Sequence, residues 1–200
     1  MAIGSSVTYF DTQFRRQLRE GELRLNPFEL KALAYARGDT LDFGCGLGNF
    51  ALAAAERGCK VVALDASAAA IAHIRQAAGR KLLAVDASNA DLSCYVPAGM
   101  YDTVACIGLL MFFDCATAQL QLQRLQQCVR SGGVLIVNVL VQGTTYLDMF
   151  DPCAHCLFGR SELSEHFAGW DILDEAQDDF PAPNASLKSF VTLVARKSAC

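Results

Sequence analysis

From residue 40 onward, short apolar runs alternate with stretches in which apolar residues return every three or four positions. The runs TLDFG (40–44), KVVALD (60–65), a segment within 83–90, YDTVACIG (101–108) and GGVLIVNVLV (132–141) read as strands. Between them, NFALAAAERG (49–58), SAAAIAHIRQAAG (67–79) and residues 114–130 read as helices. Ser67 caps the second of these and Gly58 ends the first. Such alternation predicts a mostly parallel sheet covered by helices on both faces. Upstream, 5–19 and 27–37 are predicted helices, the latter opened by Asn26 and Pro27 and stopped by Gly38. The end of the chain differs. A short helix at 161–167 precedes two strands, 170–178 and 187–196. The loop between them, DFPAPNAS, is too short for a crossover helix, so these strands are expected to be antiparallel. No repeat or low-complexity linker interrupts the pattern. Residues 1–200 therefore read as one domain, with 1–39 a helical lid and 40–200 a ligand-binding core.

Composition narrows the function classes. The chain is 52% hydrophobic and 19% charged, which suits a well-buried core. Its net charge is −4 and no Lys/Arg run forms a patch, so no nucleic-acid partner is expected. The longest apolar run, 104–113, falls short of the roughly 20 residues that a membrane span requires. The first residues lack a basic stretch followed by an apolar one, so a cytoplasmic location is expected. Nine cysteines then read as reduced thiols. CAHC (153–156) resembles half a zinc site, but no second pair stands at ligand spacing, and no metal is expected.

The chemistry concentrates at LDFGCGLGNF (41–50). In open parallel sheets, ligands sit beyond the carboxyl ends of the strands, where strand order reverses. Gly44, Gly46 and Gly48 would let a ligand approach the backbone there. The spacing Gly46-x-Gly48-x-x-Ala51 even fits a dinucleotide fingerprint. Asp42 argues against that, because a carboxylate beside the loop repels a pyrophosphate. It attracts the sulfonium and ammonium groups of S-adenosylmethionine, which has no phosphate. Asp65, at the end of the second strand, is placed to accept from ribose hydroxyls. After the third strand Asp86 and Asp91 compete for the adenine amino group, and Asp91 has the better position.

LDFGCGLGNF, VVALDAS, ADLSCY, YDTVACIGLLMFF and RSGGVLIVNVL together resemble the successive motifs of class I S-adenosylmethionine-dependent methyltransferases, over residues 40–196. LLMFFD, LQQCVRSGG and the segment from LFGRSELSEHF to FVTLVARK are similar to the tellurite-resistance, TehB-like, subfamily. The resemblance implies a doubly wound Rossmann-like α/β fold with a seven-stranded sheet whose last strand is antiparallel. It implies S-adenosyl-L-methionine as cofactor, bound by Asp42, Gly44, Cys45, Gly46, Gly48, Asp65, Ala66, Asp91, Leu92, Ile107 and Gly108, and a small-molecule methyl acceptor. That subfamily carries a His/Arg segment between its last two strands. DDFPAPNAS has neither residue, so an oxyanion acceptor does not carry over.

The acceptor pocket is expected between the N-terminal helices, with Tyr9, Phe10 and Phe14, and the segment 142–160. That segment supplies the catalytic candidates His155, Tyr146 and Asp148. Two other classes stay open: a nicotinamide-dependent oxidoreductase, and a donor-binding module without catalysis.

Overall fold

The computed structural model describes residues 5–21, 23–151 and 154–199. Two helices, α1 (Ser5–Glu20) and α2 (Pro27–Leu33), precede the sheet. Then follow β1 (Asp39–Phe43), α3 (Asn49–Glu56), β2 (Lys60–Asp65), α4 (Ala68–Lys81), β3 (Val85–Asn89) and β4 (Tyr101–Ile107). A 3-10 turn (Leu110–Phe112), α5 (Cys115–Gln127), β5 (Val129–Leu140), α6 (Glu162–Glu165), β6 (Trp170–Ala182) and β7 (Ser186–Lys197) complete the order.

The seven strands lie in the order β3-β2-β1-β4-β5-β7-β6, with β7 antiparallel to both neighbours. The chain winds outward from β1 to β3, then crosses back to β4 beside β1. That reversal opens a crevice at the carboxyl ends of β1 and β4.

Strand alternation divides the core between the two faces. Leu41, Phe43, Val104, Cys106, Leu135 and Val137 pack with α5 residues Leu122 and Leu125. Ala105, Val134 and Ile136 pack with Phe50, Ala51, Ala54, Ile71 and Ile74 of α3 and α4. Asp42 shares the parity of Thr40, opposite Leu41 and Phe43, so the strand's own pleat turns its carboxylate away from the α5 core.

Local signals set the helix starts. Asn26 Oδ1 accepts from Glu29 N at 2.9 Å, and Glu29 Oε2 accepts from Asn26 N at 2.7 Å, a reciprocal capping box with Pro27 in the first turn. Ser67 caps α4 and Asp114 caps α5 in the same way from one side.

Several predicted boundaries shift for tertiary reasons. The 27–37 helix stops at Leu33, because Arg37 N and O both bond the Thr103 hydroxyl of β4 and draw the chain into the sheet. The helix at 161–167 shortens to Glu162–Glu165. The final hairpin is longer than expected: DFPA of the supposed loop belongs to β6. Pro181 is tolerated because β6 is an edge strand, where a missing N–H disrupts no second ladder. The turn is left to Pro183, Asn184 and Ala185, the last two at φ 57° and 55°.

The expectation of uniformly reduced cysteines is corrected. Cys115, which opens α5, is disulfide-bonded to Cys156 of the segment after β5, with Cα atoms 4.8 Å apart. Glutathione and thioredoxin keep such pairs reduced in the cytosol, so the bond is one the cytoplasmic expectation does not foresee. Cys45, Cys59, Cys106 and Cys128 are free and buried, and Cys94 is free and exposed. Cys153, the other half of CAHC, lies outside the described residues. Among the described residues no group of three or more His, Cys, Asp or Glu side chains could hold a metal. No helix among them is long and apolar enough to cross a membrane.

The bond closes a loop across 41 residues. Cys156→Ser together with Cys115→Ser is expected to lower unfolding free energy by about 2–4 kcal/mol, through the extra freedom of the unfolded chain. Urea unfolding of oxidised wild type against the double variant measures it. An unchanged midpoint would show that the bond is not formed.

Candidate donor-binding cleft

The crevice at the carboxyl ends of β1 and β4 holds a cavity of about 310 Å³. Its floor is the loop after β1. The amides of Gly44 and Cys45 donate to Leu64 O at 2.9 and 3.0 Å, which ties the loop to β2. Asp65, at the end of β2, accepts from Gly46 N and Ser67 N, both at 2.8 Å. One carboxylate thereby braces the glycine loop and the start of α4. Gly46 has φ +50°, and a Cβ there would sit 3.3 Å from the Phe14 ring, so helix and loop close on each other only around a bare backbone.

Asp42 is 3% exposed and lines the cavity, yet its Oδ2 has no hydrogen-bond partner. Burial, then the nearby Glu29 and Asp65 charges, push its carboxyl well above the ordinary carboxylate range. Burial also raises Asp65, against the hydrogen bonds from Ser67 and Gly46. Asp91 lies at the other end and is more exposed; its hydrogen bonds with Ser93 hold its carboxyl low. Asp86 lies within β3, away from the cavity. No Lys, Arg or His among the described residues lines the cavity. The site is acidic and lacks an internal cation. A buried acceptor without a donor is costly unless a ligand supplies one. A ligand carrying positive charge and N–H donors fits these residues.

Of the residues singled out from the sequence, Asp42, Gly44, Cys45, Gly46, Asp65, Ala66, Asp91, Leu92, Ile107 and Gly108 all line the cavity. Gly48 does not. It caps α3 at φ +75°, where a Cβ would lie 2.5 Å from Ile74 Cγ1, so helix packing explains that glycine. Burial raises the Cys45 thiol, which leaves it protonated and unreactive.

Tyr146, Asp148 and His155 are not among the lining residues. His155 stacks on Phe150 at 5.0 Å, and its Nδ1 lies 3.1 Å from Asp151 O. Phe150 in turn contacts Phe112, at 5.0 Å, and Phe112 is the wall. Tyr146 lies beneath the Lys188 ammonium, 4.6 Å from its ring centre. Neighbouring Tyr9 raises its phenol first, with burial and Asp148 behind. Asp148 is exposed. His155 thus stands one aromatic layer behind the cavity, and Tyr146 and Asp148 lie outside its lining.

Phe10, Phe14 and Gln17 of α1, Asn26 and Glu29 of α2, and Leu109, Phe112 and Phe113 after β4 close the cavity. Phe10 meets Phe112 edge-on at 4.8 Å, and Ser67 Oγ donates to Asp11 Oδ1 at 2.7 Å, so α1 is held from both sides. Gln17, Asn26, Glu29 and Asn49 were not foreseen as cavity residues. Asn26 and Glu29 are visible in the sequence as a capping box, but which way that box faces depends on how α2 docks.

Comparison with known proteins agrees with this geometry. Residues 40–133 match a family described as "Methyltransferase domain". The matched stretch is a little under half of the chain, and the fold as a whole resembles that of TehB and other class I methyltransferases. The crystal structure of TehB from Haemophilus influenzae superimposes with a TM-score of 0.75 at 18% identity, covering 87% of this chain and 63% of TehB. The N-methyltransferase NodS from Bradyrhizobium japonicum, in complex with S-adenosyl-L-homocysteine, gives 0.70 at 15% identity over 94% of this chain and 98% of NodS. In sequence, Hemagglutinin 1 of Eikenella corrodens is 29% identical over 167 residues, 79% of this chain. That alignment spans 54% of the Eikenella protein, so this chain covers little more than half its length.

Proposed function

We propose that the protein transfers a methyl group from S-adenosyl-L-methionine to a small, soft or apolar acceptor, with α1 and α2 acting as the lid. The observation that carries this reading is the buried, unpartnered Asp42 oxygen in a cavity that no cationic side chain among the described residues lines. The binding of S-adenosyl-L-homocysteine by NodS supports it through the shared fold.

When bound, the donor supplies a sulfonium-activated methyl group. Asp42 would meet its cationic end, Asp65 would accept from the ribose hydroxyls, and Asp91 would take the adenine amino group. Leu92, Ile107 and Ala66 would flank the base. Phe10, Phe14 and Phe112 would exclude water and give the acceptor an apolar wall to approach along. Among the described residues the lining holds no His, Lys or Tyr to serve as a base, so acceptors that react without prior proton loss suit the cavity best. The same lack favours, as a second reading, a donor-binding protein without turnover.

Titration calorimetry with S-adenosylmethionine and with NADH separates donor from nicotinamide binding. Incubation with methyl-labelled donor and a panel of thiols, phenols, amines and chalcogen oxyanions then tests transfer. Saturable donor binding with label in one acceptor class is the expected result. Binding without transfer to any of them selects the second reading, and no donor binding ends both.

A further inference from the structure

We infer that Glu29 and Asp42 form a two-carboxylate clamp for the ammonium group of the methyl donor, an inference that rests on the methyltransferase reading above. Glu29 comes from α2, outside the stretch that matches the methyltransferase family. It lines the same cavity as Asp42. Its Oε2 is committed to the Asn26 amide at 2.7 Å. No ion pair among the described residues involves Glu29 or Asp42. Asp42 Oδ2 is buried without a donor.

The unmet need selects between the ligand's two positive centres. A sulfonium sulfur carries no hydrogen and leaves Asp42 Oδ2 unsatisfied. An ammonium offers three N–H donors, enough for Asp42 Oδ2 and the second Glu29 oxygen together. It also relieves the repulsion between two carboxylates that share one water-poor cavity.

Glu29→Gln isolates the charge from the helix cap, because glutamine also serves in a capping box. Calorimetry would compare wild type and Glu29→Gln with S-adenosylmethionine and with two neutral thioethers, S-adenosylhomocysteine, which keeps the ammonium, and 5′-methylthioadenosine, which lacks the amino-acid tail. The variant is expected to bind S-adenosylmethionine and S-adenosylhomocysteine alike about 10-fold more weakly. Methylthioadenosine affinity should not change, and the ligand-free thermal midpoint should hold or rise, because the variant removes one of two like charges. Weakening of S-adenosylmethionine alone, equal weakening of all three ligands, or no weakening of any would overturn the clamp while leaving the methyltransferase reading intact. Failure of wild type to bind S-adenosylmethionine at all would overturn both.

A second measurement needs no variant. Burial raises the Glu29 carboxyl, as it does Asp42. At about pH 5, just above the ordinary carboxylate range, a cation placed between them should expel protons. The heat of binding would vary with the buffer's ionisation enthalpy for S-adenosylhomocysteine and not for methylthioadenosine. The other titratable groups facing the cavity or Asp42 are Asp65, Asp91, Cys45 and Cys106, and these two thioethers present the same nucleoside to them and differ only at the amino-acid end. Buffer-independent heats for S-adenosylhomocysteine would overturn the proposal.

Discussion

Asp42→Asn is expected to abolish useful donor binding and to make the ligand-free protein more stable. Both effects come from one buried oxygen. In the free protein, Asp42 is almost fully buried, has an unpartnered Oδ2, and faces Glu29 and Asp65. A neutral amide removes that charge with little change in volume. Relief of destabilisation at functional sites commonly adds about 0.5–2 kcal/mol. For a domain of this size each kcal/mol corresponds to about 2–4 °C in Tm.

The gain should depend on pH. The folded state holds the Asp42 proton more tightly than the unfolded chain does. Stability from this group is therefore greatest below the ordinary carboxylate pKa and declines as pH rises through the raised value. Wild type and variant should converge in acid and separate towards neutral pH. Donor affinity should fall by about 30-fold or more, since truncating one partner of a buried charge pair costs about 2–5 kcal/mol. Thermal melts across pH, with calorimetry at neutral pH, test both halves. A variant less stable than wild type at neutral pH, or one that binds within 10-fold, would count against the acidic-cleft reading.

The second large effect separates two glycines that look alike in the sequence. Gly48→Val should destabilise the fold by about 3 kcal/mol or more, combining left-handed backbone strain with overpacking. Its φ is +75°, and the new Cβ would lie 2.5 Å from Ile74 Cγ1 and 2.7 Å from Cδ1. Ile74 is fully buried and has nowhere to yield. The expected loss in Tm is about 6–12 °C. Gly46→Val should behave differently: its Cβ meets only the edge of Phe14, at 3.3 Å, but the side chain enters the cavity. It should lose donor binding with a smaller loss of Tm. If Gly48→Val melted like wild type, the packing of α3 against α4 would be wrong.

That contrast shows how far a sequence can be read. Alternation of short apolar runs and helical periods is local information, and it predicted the order of strands and helices and the reversed final strand. Asp42, Asp65 and Asp91 were legible because each sits at a strand's carboxyl end, where the topology places the crevice. Gly48 was assigned to the ligand because spacing alone cannot tell a glycine that admits a ligand from one that admits a neighbouring helix. The His155, Tyr146 and Asp148 group was chosen for chemical type on a segment expected near the acceptor. The packing of Phe112 and Phe150 sets His155 behind the cavity wall.

By itself the sequence determined the sheet, its winding and the acids that line the crevice, because these follow from side-chain period and position along a strand. Only the tertiary structure decided that Glu29 lines the same cavity as Asp42, that Cys115 bonds Cys156, and that Phe14 closes over Gly46. Those outcomes depend on how distant segments dock, and docking is set by the shapes of buried surfaces that no local pattern encodes.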